Sequence, residues 1–85
     1  MAGEVIIYSF NCCVPCRRAK QWLTLKGVGY IERNTDVDPS YLKEMEAMGF
    51  SSFPLIIVGK RRMTGFRPAE LLEALAEAGI TTAAN

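Results

Sequence analysis

Val5-Ile6-Ile7-Tyr8-Ser9-Phe10-Asn11-Cys12-Cys13-Val14-Pro15-Cys16 is the stretch whose reading decides the fold. The β-branched and aromatic run Val5-Ile6-Ile7-Tyr8, inside Glu4 to Phe10, reads as a buried strand. Past Cys13 the pattern changes. Ala19, Trp22 and Leu23 recur at helical spacing, while Arg17, Arg18, Lys20 and Gln21 fill the other faces, so Val14 to Lys26 reads as a helix. Gly27 stands where a glycine closes a helix. Cys13 and Cys16 therefore sit where a strand turns into a helix. Two cysteines three apart in a first helical turn can be bridged, because a disulfide spans a Cα separation of about 4.4–6.8 Å.

Working outward, Tyr30-Ile31-Glu32-Arg33-Asn34 reads as a second, weaker strand. Asp38-Pro39 reads as an N-cap followed by proline at the first helical position. Leu42, Met45 and Met48 are expected to form the buried stripe of that helix, which Gly49 ends. Pro54-Leu55-Ile56-Ile57-Val58 is the most apolar stretch and suggests a central strand covered on both faces. Gly59-Lys60 suits a tight turn into a short strand, Arg61 to Thr64. Arg67-Pro68 opens a last helix with Leu71, Leu72, Leu75 and Ala78 facing inward and Gly79 closing it; Thr81 to Asn85 is expected to fray. The expected class is α/β, in the order β-α-β-α-β-β-α. The first half is a parallel βαβ unit and the second a hairpin with a covering helix. One four-stranded mixed sheet flanked by three helices uses every apolar stripe.

The chain has 85 residues, 49% of them apolar, and a net charge of +1. That length predicts one domain, residues 1–85, with a core of modest size. The near-neutral charge argues against a nucleic-acid partner. No apolar run reaches the roughly 18 residues of a membrane helix. The N-terminus lacks the basic segment and cleavage site of a secretion signal. A cytoplasmic location is expected, with a monomer as the default state.

The three cysteines, Cys12, Cys13 and Cys16, lie within five positions, and there is no histidine. Such crowding cannot staple distant parts of a fold and points to local chemistry. A structural zinc site normally takes four Cys or His ligands, so no metal site is assigned. A hydrolase of the Ser-His-Asp or Cys-His kind lacks its base.

A helix N-terminus carries about half a positive charge and several free N–H groups, both favouring a thiolate at Cys13. Free cysteine titrates near about 8.5, and cysteines in such motifs at about 3.5–7.5. Arg17, Arg18 and Lys20 add positive charge of smaller effect, because salt screens exposed charges. Cys16, one turn inside the helix, is expected to be more buried and to resolve the mixed disulfide formed on Cys13. Pro15 costs no hydrogen bond in a first turn. The plain alternative is an incidental pair of small buried residues, and the strand–turn–helix context argues against it. For Cys12 the plain reading, a small apolar filler, is favoured. The sharper one is a third thiol open to glutathionylation or to a disulfide between chains.

Ile7-Tyr8-Ser9, Cys13-Val14-Pro15-Cys16, Phe53-Pro54 and Gly65-Phe66, in that order, resemble the glutaredoxin family over roughly residues 4 to 79. Thr64-Gly65-Phe66-Arg67-Pro68 is most similar to the NrdH redoxins, glutaredoxin-like electron donors of ribonucleotide reductase. The resemblance implies the thioredoxin-like (glutaredoxin) fold and a thiol–disulfide oxidoreductase, with Cys13 and Cys16 catalytic. It also implies a substrate-binding rim of Val14, Pro15, Phe53, Pro54, Gly65 and Phe66. A cis Phe53-Pro54 bond follows, with the Phe53 backbone pairing to the cysteinyl part of a bound thiol peptide. Without the family, Pro54 is simply a strand-start proline.

Departures from the family bear on the electron source. Glutathione-binding members usually carry Lys or Arg where this chain has Phe10, and an Asp after Gly-Gly where this chain has Gly65-Phe66-Arg67-Pro68. Tyrosine is missing between the two cysteines. Arg17 or Arg67 remain as partners for a carboxylate, although Arg67 also reads as a solvated helix-start residue. Phe10 and Phe66 read either as an apolar rim around the Cys13 sulfur, suited to docking a protein, or as core. Trp22 reads as core.

The leading expectation is an electron carrier that reduces protein disulfides. It needs no tightly bound cofactor and draws electrons from thioredoxin reductase or glutathione. The alternatives are a glutathione-dependent deglutathionylase and, from another class, an iron–sulfur cluster or metal-binding module. The two-cysteine motif counts against the last.

Overall fold

Three helices end in the same way, and this sets the lengths of the elements they follow. In the computed structural model, which describes residues 4–82, Gly27, Gly49 and Gly79 have φ of 71°, 87° and 74°. The N–H of the next residue reaches back to the last turn: Val28 to Leu23 O at 2.9 Å, Phe50 to Met45 O at 3.0 Å and Ile80 to Leu75 O at 2.9 Å. Glycine supplies the left-handed residue, and the apolar residue after it packs on the helix it closes.

The elements are β1 (Val5–Ser9), α1 (Val14–Leu25), β2 (Ile31–Asn34), α2 (Ser40–Ala47), β3 (Leu55–Val58), β4 (Arg61–Thr64) and α3 (Pro68–Glu77). The strand order is β2-β1-β3-β4. β1 runs parallel to β2, pairing Tyr8 with Arg33 and Ser9 with Asn34. It runs antiparallel to β3, pairing Tyr8 with Leu55, and β3 is antiparallel to β4. This is the four-stranded mixed sheet expected from the sequence.

Side chains of a strand alternate between faces, and β1 feeds two separate cores. Val5 and Ile7 pack with Ala19 and Leu23 of α1 and with Leu71 and Leu75 of α3. Tyr8 packs on the opposite face with Met45 of α2 and with Leu55. Because β1 and β2 are parallel and α1 returns across them, the end of β1, the end of β2 and the start of α1 share one edge of the molecule.

Two helix stripes differ from the sequence expectation. Leu42 is 40% exposed, and Tyr41 packs inward beside Met45 and Met48. Leu72 is 44% exposed, and Ala74 takes its inward place. In both cases the inner face lies slightly off the line of the largest apolar residues, because aromatic or small side chains match the gap above the sheet. α2 also starts one residue later than expected, at Ser40. The N-cap position is Pro39, which offers no side-chain bond, and Asp38, one residue before it, accepts from the Ser40 N–H at 3.0 Å and hydroxyl at 2.8 Å. Those two bonds lower the Asp38 pKa. Of the expected frayed tail, residues 83–85 lie outside the described residues.

Candidate redox site

Cys13 is the N-cap of α1, with extended backbone (φ −89°, ψ 105°), and its sulfur accepts from the Cys16 N–H at 3.1 Å. An N-cap side chain satisfies a first-turn N–H that has no intrahelical partner; here sulfur takes the place usual for oxygen. Cys13 and Cys16 are joined in a disulfide with their Cα atoms 5.2 Å apart. Both are buried, Cys16 slightly the deeper at 1% exposure against 4%. Val14 and Pro15 occupy the first helical turn between them, with Val14 51% exposed.

The second side of the site comes from the chain before β3. The Phe53–Pro54 peptide bond is cis and Pro54 is buried. Gly65, at φ 80°, donates its N–H to Pro54 O at 2.9 Å, so the turn after β4 is tied to the proline. Phe10 and Phe53 meet edge to face with ring centroids 4.9 Å apart. Phe66 instead packs against Trp22 at 6.3 Å, beside the core under α1 and α3. Phe10 and Phe66 thus belong to different aromatic pairs, and Phe66 lies half-buried at the edge of that core.

The third side was not anticipated from the sequence. Asn11 N–H donates to Asp36 Oδ2 at 2.8 Å, and the Asn34 amide donates to Asn11 Oδ1 at 2.9 Å. This ties the turn before the cysteines to the turn after β2. Beneath, on the α1 side of the sheet, the fully buried Ser9 hydroxyl donates to Glu32 Oε2 at 2.6 Å, and Lys20 Nζ lies 2.7 Å from the same oxygen. Burial pushes the Glu32 pKa up, but the bonds from Lys20 and Ser9 prevail and it is lowered overall. On the α2 side, Arg33 Nη1 donates to Tyr8 Oη at 2.8 Å and to Glu44 Oε1 at 3.0 Å, and Tyr8 donates to Glu44 at 2.8 Å. Burial, then the bond to Glu44, raises the Tyr8 pKa. Glu32 and Arg33, adjacent on β2 and so on opposite faces of the sheet, take their charged partners from helices, Lys20 of α1 and Glu44 of α2, and nothing in the local spacing marks those pairings.

Electrostatically, the cations near the cysteines are not equivalent. Lys20 is paired with Glu32, and Arg67 with Glu70 at 3.5 Å. Arg17 and Arg18 make no ion pair among the described residues. Cys12 is a free, exposed thiol. The filler reading is therefore corrected: Cys12 lies in the exposed turn between Asn11 and the helix cap, where there is no core to fill. Among the described residues, no group of three or more His, Cys, Asp or Glu is placed to hold a metal ion. No helix among them is long and apolar enough to cross a membrane.

Comparison with known proteins adds to this geometry. The glutaredoxin family model matches residues 5–63. The glutaredoxin-like protein NrdH of Lactococcus lactis is 36% identical over 67 residues, which cover 79% of this chain and 93% of that protein. The NrdH protein of Escherichia coli is 33% identical over 65 residues, covering 76% and 80%. Among solved structures, the E. coli NrdH-redoxin, described for its thioredoxin-like activity profile, superimposes with a TM-score of 0.76 at 30% identity, covering 82% of this chain and 92% of that one. A glutaredoxin of Archaeoglobus fulgidus gives 0.74 at 26% identity, covering 88% and 87%.

Proposed function

Because this chain belongs to the glutaredoxin family and is a thiol–disulfide oxidoreductase of thioredoxin-like fold, we propose that it works as a dithiol electron carrier with Cys13 as nucleophile and Cys16 as resolving thiol. The observation that carries this reading is the Cys13 sulfur at the α1 N-cap, facing the Cys16 N–H and bonded to the Cys16 sulfur. In the reduced protein the Cys13 thiolate attacks a substrate disulfide. A sulfur–sulfur bond forms to Cys13, the substrate bond breaks, and the departing thiolate takes a proton. Cys16 loses its proton and attacks the Cys13 sulfur, restoring the internal disulfide and releasing the second substrate thiol. Two electrons and two protons pass to the substrate. The natural substrates are protein disulfides, and the NrdH resemblance makes ribonucleotide reductase the first to try.

For the electron source, thioredoxin reductase is favoured over glutathione. Phe10 stands where glutathione-binding members carry a cation and packs on Phe53. Arg67 is engaged by Glu70. The similar E. coli NrdH-redoxin is described by a thioredoxin-like activity profile. Val14, Pro15, Phe53, Pro54, Gly65 and Phe66 remain the proposed binding rim. Among the described residues the Phe53 backbone makes no hydrogen bond within the chain, which leaves it open to a substrate strand. The test supplies the oxidised protein with NADPH and thioredoxin reductase, or with NADPH, glutathione and glutathione reductase. Rapid reduction by the first is expected, and turnover with glutathione alone reverses the assignment.

A further inference from the structure

A groove on the outer side of α1, against the start of β2, is lined by Arg17, Lys20, Gln21, Thr24, Leu25 and Tyr30, and its surface is mostly apolar. Its Arg17 end lies one helical turn along from Cys13, whose carbonyl accepts the Arg17 N–H at 3.1 Å. Its charge is uneven. Lys20 is held by Glu32 at 2.7 Å, while Arg17 makes no ion pair among the described residues. The far end is apolar: Leu25 is 70% exposed, and Tyr30 lies beside it in the lining. Leu25 falls off the inward stripe of Cys16, Ala19 and Leu23, so α1 itself gives it no cover. From Arg17 to Leu25 the helix rises about 12 Å. About four residues of extended chain span the same distance.

We propose that this groove holds the segment flanking the target cysteine of a protein disulfide. An acidic side chain close to that cysteine meets Arg17, whose guanidinium forms paired hydrogen bonds with a carboxylate. An apolar side chain about four residues further along covers Leu25 and Tyr30. The proposal rests on the dithiol reading above and adds to it a substrate class: disulfides with an acidic, then apolar flank.

The test mixes the pre-reduced protein with synthetic peptides, each carrying one cysteine as a mixed disulfide with 2-mercaptoethanol. One peptide has aspartate beside the cysteine and leucine four residues beyond, made in both chain directions. In its controls lysine replaces the aspartate, or serine the leucine. Bis(2-hydroxyethyl) disulfide is the small reference substrate. In at least one direction the aspartate–leucine peptide should react about fivefold faster than the lysine control, the upper range for one exposed ion pair. That ratio should shrink at high salt and fall to one or below in Arg17→Glu. Leu25→Glu, and separately Leu25→Ser, should remove the advantage of leucine over serine and leave the reference rate unchanged. Equal rates for all peptides, with the reference still reduced, overturn the groove and leave the dithiol reading standing. Failure to reduce the reference overturns the dithiol reading and the groove with it.

Discussion

The backbone N–H of Cys16 points at the Cys13 sulfur across 3.1 Å. One short turn thus supplies both the partner thiol and a fixed hydrogen-bond donor for the attacking one. An N–H donor favours the charged form of its acceptor, and the dipole of α1 acts in the same sense.

The first prediction is that the reduced Cys13 thiol titrates below the free-cysteine value of about 8.5. Thiolate absorbance followed against pH in Cys12→Ser measures it, because that substitution removes the exposed third thiol. An ordinary alkaline midpoint removes the electrostatic role given to the helix cap.

Cys13→Ser should abolish disulfide reduction, lowering it by at least about a hundredfold, since no other thiol shares that cap. Cys16→Ser should still attack but stall, and accumulate a mixed disulfide with substrate on Cys13. Mass spectrometry under non-reducing conditions reads both results. Disulfide reductase activity retained by Cys13→Ser reverses the roles.

Glu32→Ala should destabilise the protein at neutral pH by about 1–2 kcal/mol, because the fully buried Ser9 hydroxyl loses its acceptor. The Glu32 pKa is lowered in the folded state. Its contribution is therefore complete above its ordinary value of 4.5 and disappears as pH falls through the lowered one. Denaturant unfolding at neutral pH and near pH 3 should show a gap between wild type and variant that narrows in acid. A constant gap excludes the ionised carboxylate as its source.

Gly65→Ala tests the turn that closes on Pro54. A Cβ there meets nothing within 4 Å, yet φ is 80°, so the cost is conformational and about 1–2 kcal/mol. Gly29→Ala, also in open space and without a left-handed φ, should be neutral or stabilising by up to about 1 kcal/mol. Thermal unfolding of the two variants should separate them. Equal melting temperatures contradict the assignment of strain to Gly65.

Legibility from the sequence followed the range of the interactions. The order of elements, the glycine-closed helices and the placement of Cys13 and Cys16 at a strand-to-helix turn all follow from patterns shorter than about 15 residues. The phase of α2 and α3 did not: Leu42 and Leu72 are apolar and exposed, while Tyr41 and Ala74 pack inward. Periodicity marks a helix but not the angle at which it meets its sheet.

By itself, the amino-acid order determined the redox pair and its helix cap, because three residues of spacing, a preceding strand and the first-turn N–H groups are local facts of the chain. Only the tertiary structure decided which charges around that pair are free. Lys20 finds Glu32 across twelve positions of sequence, and Arg17 is left to face the groove. It likewise sent Phe10 to Phe53 and Phe66 to Trp22. The physical reason is that such partners are chosen by the sheet register and the docking of helices, which bring distant residues within contact range and leave no mark on the spacing of neighbours.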